Sequence, residues 1–335
     1  MRTRAGSAVS AGWSARARID RVFAVDRGYC VPVLKYRLTF GPLFIVLVGL
    51  LAWLDAWLDG LDAPRFLGVE TLPPGIGVFV VLAVLGAMGA RELARILTAK
   101  GIPVGTGVAI AVQATGLLAV ALLPSDADAT IGLAAGMSTA VLAYMIGVLY
   151  AVRDRDVRGA IAIGSGVLMI HVYMGLMLGF LLLIRREHSI WLLIWVLASV
   201  KSCDIGAFFT GTALGRHKMI PWLSPGKTWE GLAGGLITAG LVAIAGSWLL
   251  RRNGIGAPGP VYSGVMGVMM GGVGQVGDLA ASLFKRDAGV KDSGSSLPGF
   301  GGAMDLIDSP ILVAPLAYWA LALAQDRGVL TTFGI

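Results

Sequence analysis

Long apolar segments separated by short charged stretches are the feature that most constrains how this sequence can fold. About nine of them approach the roughly 20 residues that a helix needs to cross a bilayer. They cover residues 38–57, 75–90, 104–123, 129–152, 160–184, 190–212, 232–250, 261–284 and 310–324. Of the 335 residues, 56% are hydrophobic and 14% are charged, whereas soluble domains carry about 25% charged residues. The sequence therefore predicts an all-α, polytopic integral membrane protein with about nine transmembrane helices.

The basic residues predict how these helices are oriented, because the cytoplasmic loops of membrane proteins carry an excess of Lys and Arg. Residues 1–37 are rich in arginine and are predicted to form a disordered cytoplasmic arm, with an organelle transit peptide as the alternative. With the N-terminus inside, four charged stretches fall on the cytoplasmic side: 91–100, 153–158, 215–230 and 285–308. Two pairs, Arg185-Arg186 and Arg251-Arg252, fall on the other side and do not fit this orientation.

Charged residues are concentrated between residues 277 and 308 of an otherwise apolar chain. They are Asp278, Lys285, Arg286, Asp287, Lys291, Asp292, Asp305 and Asp308. Carboxylate oxygens bind Mg²⁺, Lys and Arg neutralise phosphate oxygens, and glycines allow backbone amides to approach. A helix that continues through Arg286 would place Asp278, Ser282 and Lys285 on one face. This pattern predicts a site for a metal-bound polyphosphate, and a solvated loop with ordinary surface charge is the alternative.

A second polar cluster lies between residues 201 and 231. Lys201 and Asp204 interrupt an apolar segment, where ionisable groups usually face a polar cavity; a structural ion pair between them is the alternative. The run SPGKTWEG follows at residues 224–231. Its Gly-Lys-Thr is not a P-loop, because Pro221 stands where that motif needs its first glycine. The run GVGQVG at residues 272–277 lies inside an apolar segment, so a dinucleotide-binding fold is not expected.

Both segments resemble the signatures of the phosphatidate cytidylyltransferase (CDP-diacylglycerol synthase) family. SPGKTWEG is similar to that family's Ser-Pro-Lys-Lys-Thr-Trp-Glu-Gly motif, with Gly226 in place of the first lysine. In the later segment the matching positions are Ser282, Lys285, Arg286, Lys291, Asp292, Pro298, Gly299, Gly301, Gly302, Asp305 and Asp308. Three positions depart from the family pattern: Ala281 replaces a common Glu, Phe300 replaces a His and Leu306 replaces an Arg.

The resemblance implies that the chain condenses CTP with phosphatidate, giving CDP-diacylglycerol and pyrophosphate. It implies a Mg²⁺-dependent homodimer in a bacterial inner membrane, with membrane lipid around it and its active site facing the cytoplasm. Because of the three departures, a paralogue that uses another lipid phosphate, or a non-catalytic one that binds nucleotide or lipid, remains the alternative. Such a transfer needs no protein nucleophile, and the sequence shows no Ser-His-Asp constellation. It also shows no basic patch on a soluble module, so no nucleic acid is expected as a partner.

The predicted site residues follow from the charge pattern and the resemblance together. The predicted catalytic residues are Asp278, Lys285, Arg286, Lys291, Asp292 and Asp305. The predicted substrate-binding residues are Ser224, Lys227, Thr228, Ser282, Gly301 and Gly302. The predicted Mg²⁺ ligands are Asp204, Asp278, Asp305 and Asp308. The chain is accordingly divided into an arm (1–37), N-terminal transmembrane helices (38–200), a catalytic transmembrane region with both motif segments (201–324) and a tail (325–335).

Overall fold

The computed structural model of the chain describes residues 46–59, 61, 72–124, 127–153, 158–290, 294 and 301–331. The predicted arm lies outside these residues, as do the predicted catalytic residues Lys291 and Asp292 and the departing residue Phe300. The described chain is almost wholly helical, as predicted. This is the expected result for a chain in lipid, where every backbone polar group must be satisfied within the protein.

Nine helices and two short antiparallel ribbons make up the described chain. The helices are α1 (Val46–Leu58), α2 (Ile76–Ala99), α3 (Thr106–Ala121), α4 (Ala129–Val152), α5 (Ala160–Glu187), α6 (Ile190–Leu214), α7 (Trp229–Arg252), α8 (Pro260–Asp287) and α9 (Ala303–Asp326). The ribbons pair β1 (Lys218–Ile220) with β2 (Ser224–Thr228), and β3 (Ala257–Pro258) with β4 (Leu330–Thr331). Within α5, His171–Leu176 forms a π-helical turn.

Six helices in the described chain are long and apolar enough to cross a membrane, namely α2, α4, α5, α6, α7 and α9. The 16 residues of α3 span only about 24 Å, less than the roughly 30 Å hydrocarbon core. The 28 residues of α8 suffice in length, but polar side chains such as Gln275 and Asp278 lower its hydropathy. The all-α membrane architecture is thus confirmed, whereas nine transmembrane spans are not.

Two predicted boundaries are wrong for the same reason. The charges from Arg91 to Lys100 were expected to end the second segment near residue 90, yet α2 continues to Ala99 and buries Glu92. The last segment was expected to start at Pro310, yet α9 begins at Ala303 and carries Pro310 inside it. In both cases charged residues ended the apolar segment without ending the helix, since Arg, Glu, Lys, Leu and Ala are good helix formers and the first turn of α9 carries Asp305.

The two arginine pairs that do not fit the charge rule are held by partners. Arg185 is buried in an ion pair with Asp55 and also binds Asp59, both at the end of α1. Arg186 donates to the backbone oxygens of Val120 and Leu123, at 2.9 and 2.6 Å. These interactions neutralise or solvate the guanidinium groups at the ends of α1, α3 and α5.

The second pair is held in a similar way. Arg251 donates to the backbone oxygen of Thr331 at 3.2 Å, and the guanidinium of Arg252 lies 5.3 Å from the centroid of the Trp248 ring. Both arginine pairs are therefore held by local contacts, and the orientation of the helices stays a prediction.

Helices α6 to α9 pack closely through glycines, and Gly231 and Gly235 have the GxxxG spacing that is typical of close helix packing in membranes. A Cβ on Gly235 would lie 2.7 Å from the backbone oxygen of Cys203 on α6. A Cβ on Gly277 would lie 2.5 Å from the backbone oxygen of Asp308 on α9. The missing side chain at Gly277 thus allows α8 and α9 to meet at the level of Asp278 and Asp308.

Candidate active site

Lys227 brings the two motif segments together. It lies in β2, and its Nζ is 2.9 Å from Oδ2 of Asp278 on α8 and 3.4 Å from the backbone oxygen of Gln275. Its side chain is 17% exposed, so the ammonium group extends inward from the hairpin. The sequence predicted a role for both residues without indicating that they are direct partners.

The hairpin formed by β1 and β2 is anchored by the residues that follow Lys227. Thr228 is the N-cap of α7, and its hydroxyl accepts a hydrogen bond of 3.1 Å from the Gly231 amide. Glu230 accepts from the backbone amides of Arg216 and His217 at 3.1 and 3.2 Å. Thr228 and Glu230 therefore fix the direction in which Lys227 leaves the hairpin.

Lys201 on α6 connects two carboxylates. Its Nζ lies 3.6 Å from Oδ2 of Asp204, one turn along the same helix, and 3.7 Å from Oδ1 of Asp308 on α9. Gln275 of α8 donates to the other oxygen of Asp204 at 2.6 Å. The ion pair considered as a purely structural alternative is present, but it extends to Asp308 and belongs to a network shared by three helices.

Asp305 and Asp308 lie one turn apart on α9 but have different partners. Asp305 accepts a hydrogen bond of 2.6 Å from Lys285 and one of 3.1 Å from the Gly302 amide. Asp308 is buried, and its Oδ1 accepts from the amide and hydroxyl of Ser309 at 2.6 and 3.1 Å. The predicted ligand set is thus divided between the start of α9 and a deeper position next to α6 and α8.

Glu92 holds the N-terminus of α9 and was missed by the sequence analysis. Its two carboxylate oxygens accept from the backbone amides of Ala303 and Met304 at 3.0 and 2.9 Å. Only 1% of its surface is exposed. No motif indicates this role, because in the sequence Glu92 is one of several charged residues between 91 and 100, and the others are exposed.

The remaining predicted site residues surround this network. Ser282 is partly buried on α8, and Arg286 is exposed near the end of that helix. Ser224 begins β2, opposite Ile220. Gly301 has a positive φ of 87° immediately before α9, a conformation that glycine adopts at little cost. The catalytic and binding roles of these residues stay predictions.

No three His, Cys, Asp or Glu side chains of the described ranges are grouped closely enough to form a metal site by themselves. Lysines lie between the carboxylates instead, and their contacts link Asp204 to Asp308 and secure Asp278. Mg²⁺ in nucleotide sites is usually bound by one or two carboxylates together with substrate phosphates. The carboxylates of this site therefore fit an ion that is shared with a polyphosphate, and the predicted ligand assignments stay predictions.

Two of the three departures from the family pattern are packed into the apolar core. Ala281 is fully buried, and Leu306 packs against the same core cluster. Apolar side chains at these two positions are therefore compatible with their surroundings in the described chain.

A family model described as the cytidylyltransferase family matches residues 66–324. The chain is similar to phosphatidate cytidylyltransferases of three bacteria. The protein of Haemophilus influenzae is 40% identical over 128 residues (38% of this chain, 44% of that protein), and that of Brucella abortus is 40% identical over 147 residues (42% and 50%). The protein of Bacillus subtilis is 36% identical over 155 residues (45% and 56%). The chain spans about half the length of the curated relatives it matches.

Proposed function

Because this chain belongs to the cytidylyltransferase family, we propose that it condenses CTP with phosphatidate to give CDP-diacylglycerol and pyrophosphate. The observation that carries the proposal is the contact of Lys227 with Asp278, which joins the two motif segments in one polar site. The names of the similar bacterial proteins support the same substrates. This is a reaction of phospholipid biosynthesis.

The reaction needs charge neutralisation and positioning more than it needs a protein nucleophile. The phosphate of phosphatidate has a second pKa near 6, so it is an anionic nucleophile at neutral pH. One of its oxygens forms a bond to the α-phosphorus of CTP, while the bond from that phosphorus to the bridging oxygen breaks. Pyrophosphate leaves with the bonding electrons, and the protein holds both phosphates in line.

The lysines of the site are suited to binding phosphate oxygens. Lys227 and Lys285 are mostly buried and face carboxylates, so their ammonium groups are held in place before substrate arrives. Arg286 is exposed at the end of α8, where it can reach phosphate groups outside the helix bundle. Burial strengthens the contacts of Lys227 and Lys285, because the local dielectric constant is lower than that of water.

Mg²⁺ is the proposed cofactor, held by one or two of the carboxylates of Asp204, Asp278, Asp305 and Asp308 together with substrate phosphates. When bound, it would neutralise the triphosphate and assist departure of pyrophosphate. The two oxygens of Asp305 bind Lys285 and the Gly302 amide, so Asp305 also holds Lys285 and the first turn of α9.

We place the protein in the bacterial inner membrane with this site facing the cytoplasm. The Arg-rich arm and the charged stretches near Lys100, Lys227 and Arg286 support this orientation through the positive-inside rule. The pairing of Lys100 with Asp287 at 2.8 Å is consistent with α2 and α8 ending on the same side. A homodimer is also proposed, on the family resemblance alone.

The test is CDP-diacylglycerol formation by the purified full-length protein with CTP, Mg²⁺ and phosphatidate vesicles. The control variant is Asp287→Asn, since Asp287 is exposed and binds Lys100. Wild type and this control are expected to form product at similar rates. The Asp278→Asn variant is expected to lose most of this activity. An inactive wild type that is folded would overturn the proposal, and unimpaired activity of Asp278→Asn would overturn the proposed role of Asp278.

A further inference from the structure

Tyr173, in the π-helical turn of α5, has a hydroxyl group that the described structure leaves without a hydrogen-bond partner. We propose that this hydroxyl donates a hydrogen bond to a phosphoryl oxygen of the bound substrate, which makes Tyr173 a further catalytic residue of this site. The inference rests on the function proposed above. Neither the motifs nor the charge pattern of the sequence indicate Tyr173.

The first argument is the burial of an unsatisfied polar group. Tyr173 is only 7% exposed, and its hydroxyl oxygen meets no donor or acceptor among the described residues. A buried hydroxyl that lacks a partner destabilises a folded protein, since it has lost its hydrogen bonds to water. Phenylalanine would fill the same space without this cost. The hydroxyl therefore needs a reason other than packing.

The second argument is where the hydroxyl lies. It is within electrostatic reach of the carboxylates of Asp308 and Asp278. The ring packs edge-on against Phe284, with 6.0 Å between the ring centroids and 87° between the ring planes. Phe284 belongs to α8, the helix that also carries Asp278, so Tyr173 packs against one of the helices of the candidate site.

The third argument is the local backbone. His171–Leu176 is the one π-helical segment of the described chain, and such turns inside α-helices often occur at functional sites. The turn is held against α3, since a Cβ on Gly175 would lie 2.8 Å from the backbone oxygen of Gln113. A π turn changes the direction of the side chains it contains, and here it holds Tyr173 in a fixed position.

The chemistry of the neighbours identifies the missing partner as an anionic oxygen. Lys201 and Lys227 engage the carboxylates of Asp204, Asp308 and Asp278. A neutral phenol can donate to a phosphoryl oxygen without adding charge to a site that is already rich in ions. The acceptor belongs to CTP or to the lipid phosphate, which share this chemistry.

The experiment compares Tyr173→Phe with Tyr262→Phe in the full-length protein. Tyr262 is the matched control, because its hydroxyl already donates to the backbone oxygen of Ala320 at 2.6 Å. For Tyr173→Phe we expect an unchanged or higher melting temperature and a kcat/KM that falls about 10- to 100-fold. For Tyr262→Phe we expect a lower melting temperature and a kcat/KM near that of wild type.

The kinetic constants identify the source of the acceptor. A higher KM for phosphatidate assigns it to the lipid phosphate, and a higher KM for CTP assigns it to the nucleotide. A lower kcat with both KM values unchanged assigns it to the phosphoryl group during transfer.

Full kcat/KM in Tyr173→Phe would overturn the inference, as would an activity loss matched by a lower melting temperature. An inactive wild type would instead overturn the proposed function. In that event, binding of Mg²⁺–CTP and of phosphatidate vesicles decides the role of Tyr173: weaker binding by Tyr173→Phe of either one supports it, and unchanged binding of both overturns it.

Discussion

The Nζ of Lys227 lies 2.9 Å from a carboxylate oxygen of Asp278, and this contact joins a polar hairpin to helix α8. Lys227 belongs to β2, between α6 and α7, whereas Asp278 lies on α8. The hairpin thus supplies a cation to a site whose carboxylates come from α6, α8 and α9. The predictions below test this site and the contacts that hold it.

Replacing Lys227 by Met is expected to lower kcat/KM by about 100-fold or more, because one phosphate-binding charge is lost and Asp278 loses its partner. Steady-state CDP-diacylglycerol synthesis measures the effect. Lys218→Met is the control, since Lys218 is an exposed lysine of the same hairpin, and its kcat/KM should stay near that of wild type. Equal losses in both variants would show that the hairpin needs positive charge in general and not Lys227 in particular.

Lys201→Met should destabilise the protein by about 1–3 kcal/mol, because Asp204 and Asp308 would both lose the cation that they share. Partial exposure of Lys201 keeps the effect below that of a fully buried pair. Lys100→Met is the matched control. The side chains of Lys100 and Asp287 are 48% and 60% exposed, so a loss of stability of about 0–1 kcal/mol is expected. Thermal unfolding in detergent measures both, and equal shifts would contradict the network described for Lys201.

Glu92→Gln is expected to destabilise the protein by about 1–2 kcal/mol. The glutamine side chain lacks the negative charge that stabilises the N-terminus of α9, and it has one acceptor oxygen instead of two. Activity should fall as well, since α9 carries Asp305 and Asp308. Melting temperature and kcat/KM are measured together. The control is Glu187→Gln. The exposed carboxylate of Glu187 accepts a hydrogen bond of 2.9 Å from the hydroxyl of Tyr318. Unchanged activity in Glu92→Gln would show that this cap does not position the site.

Arg185→Met should destabilise the protein by about 3–5 kcal/mol, because Asp55 would be left as a buried unpaired carboxylate. The triple variant Arg185→Met, Asp55→Asn, Asp59→Asn should recover part of this loss. Arg185 lies at the end of α5 that is remote from Tyr173 and the π turn, so the folded fraction is expected to keep its kcat. Thermal unfolding and activity per folded molecule test this. A triple variant no more stable than the single one would contradict the assignment of the loss to the unpaired carboxylate.

The helices were predictable because a bilayer leaves an apolar segment few alternatives. The segment predicted at 129–152 is found as Ala129–Val152. The number of spans was not predictable in the same way, because α8 is lined with glycine and the polar residues of the site. Its hydropathy is therefore too low to place it among the six helices that are apolar enough to cross a membrane, although residues 261–284 were predicted as a span.

The candidate site was predictable as two segments but not as a set of contacts. Asp305 and Asp308 have the same chemistry and nearly the same position, yet one binds Lys285 and the other lies next to Lys201. Glu92 and Tyr173 come from segments that were read only as a charged loop and an apolar helix. Glu92 contacts α9 and Tyr173 contacts α8 only because of how the helices pack. The hydrophobic periodicity of the sequence does not indicate which helices are neighbours.

By itself, the sequence determined the helical membrane class, the family resemblance and the residue types available for phosphate chemistry, because these follow from hydropathy and from local order along the chain. Only the tertiary structure decided which charges are partners, that Glu92 caps α9, and that the hydroxyl of Tyr173 is buried without a hydrogen-bond partner among the described residues. The physical reason is that an ion pair or a hydrogen bond requires atoms within about 4 Å, and only the packing of α2, α5, α6, α8 and α9 brings these distant segments that close.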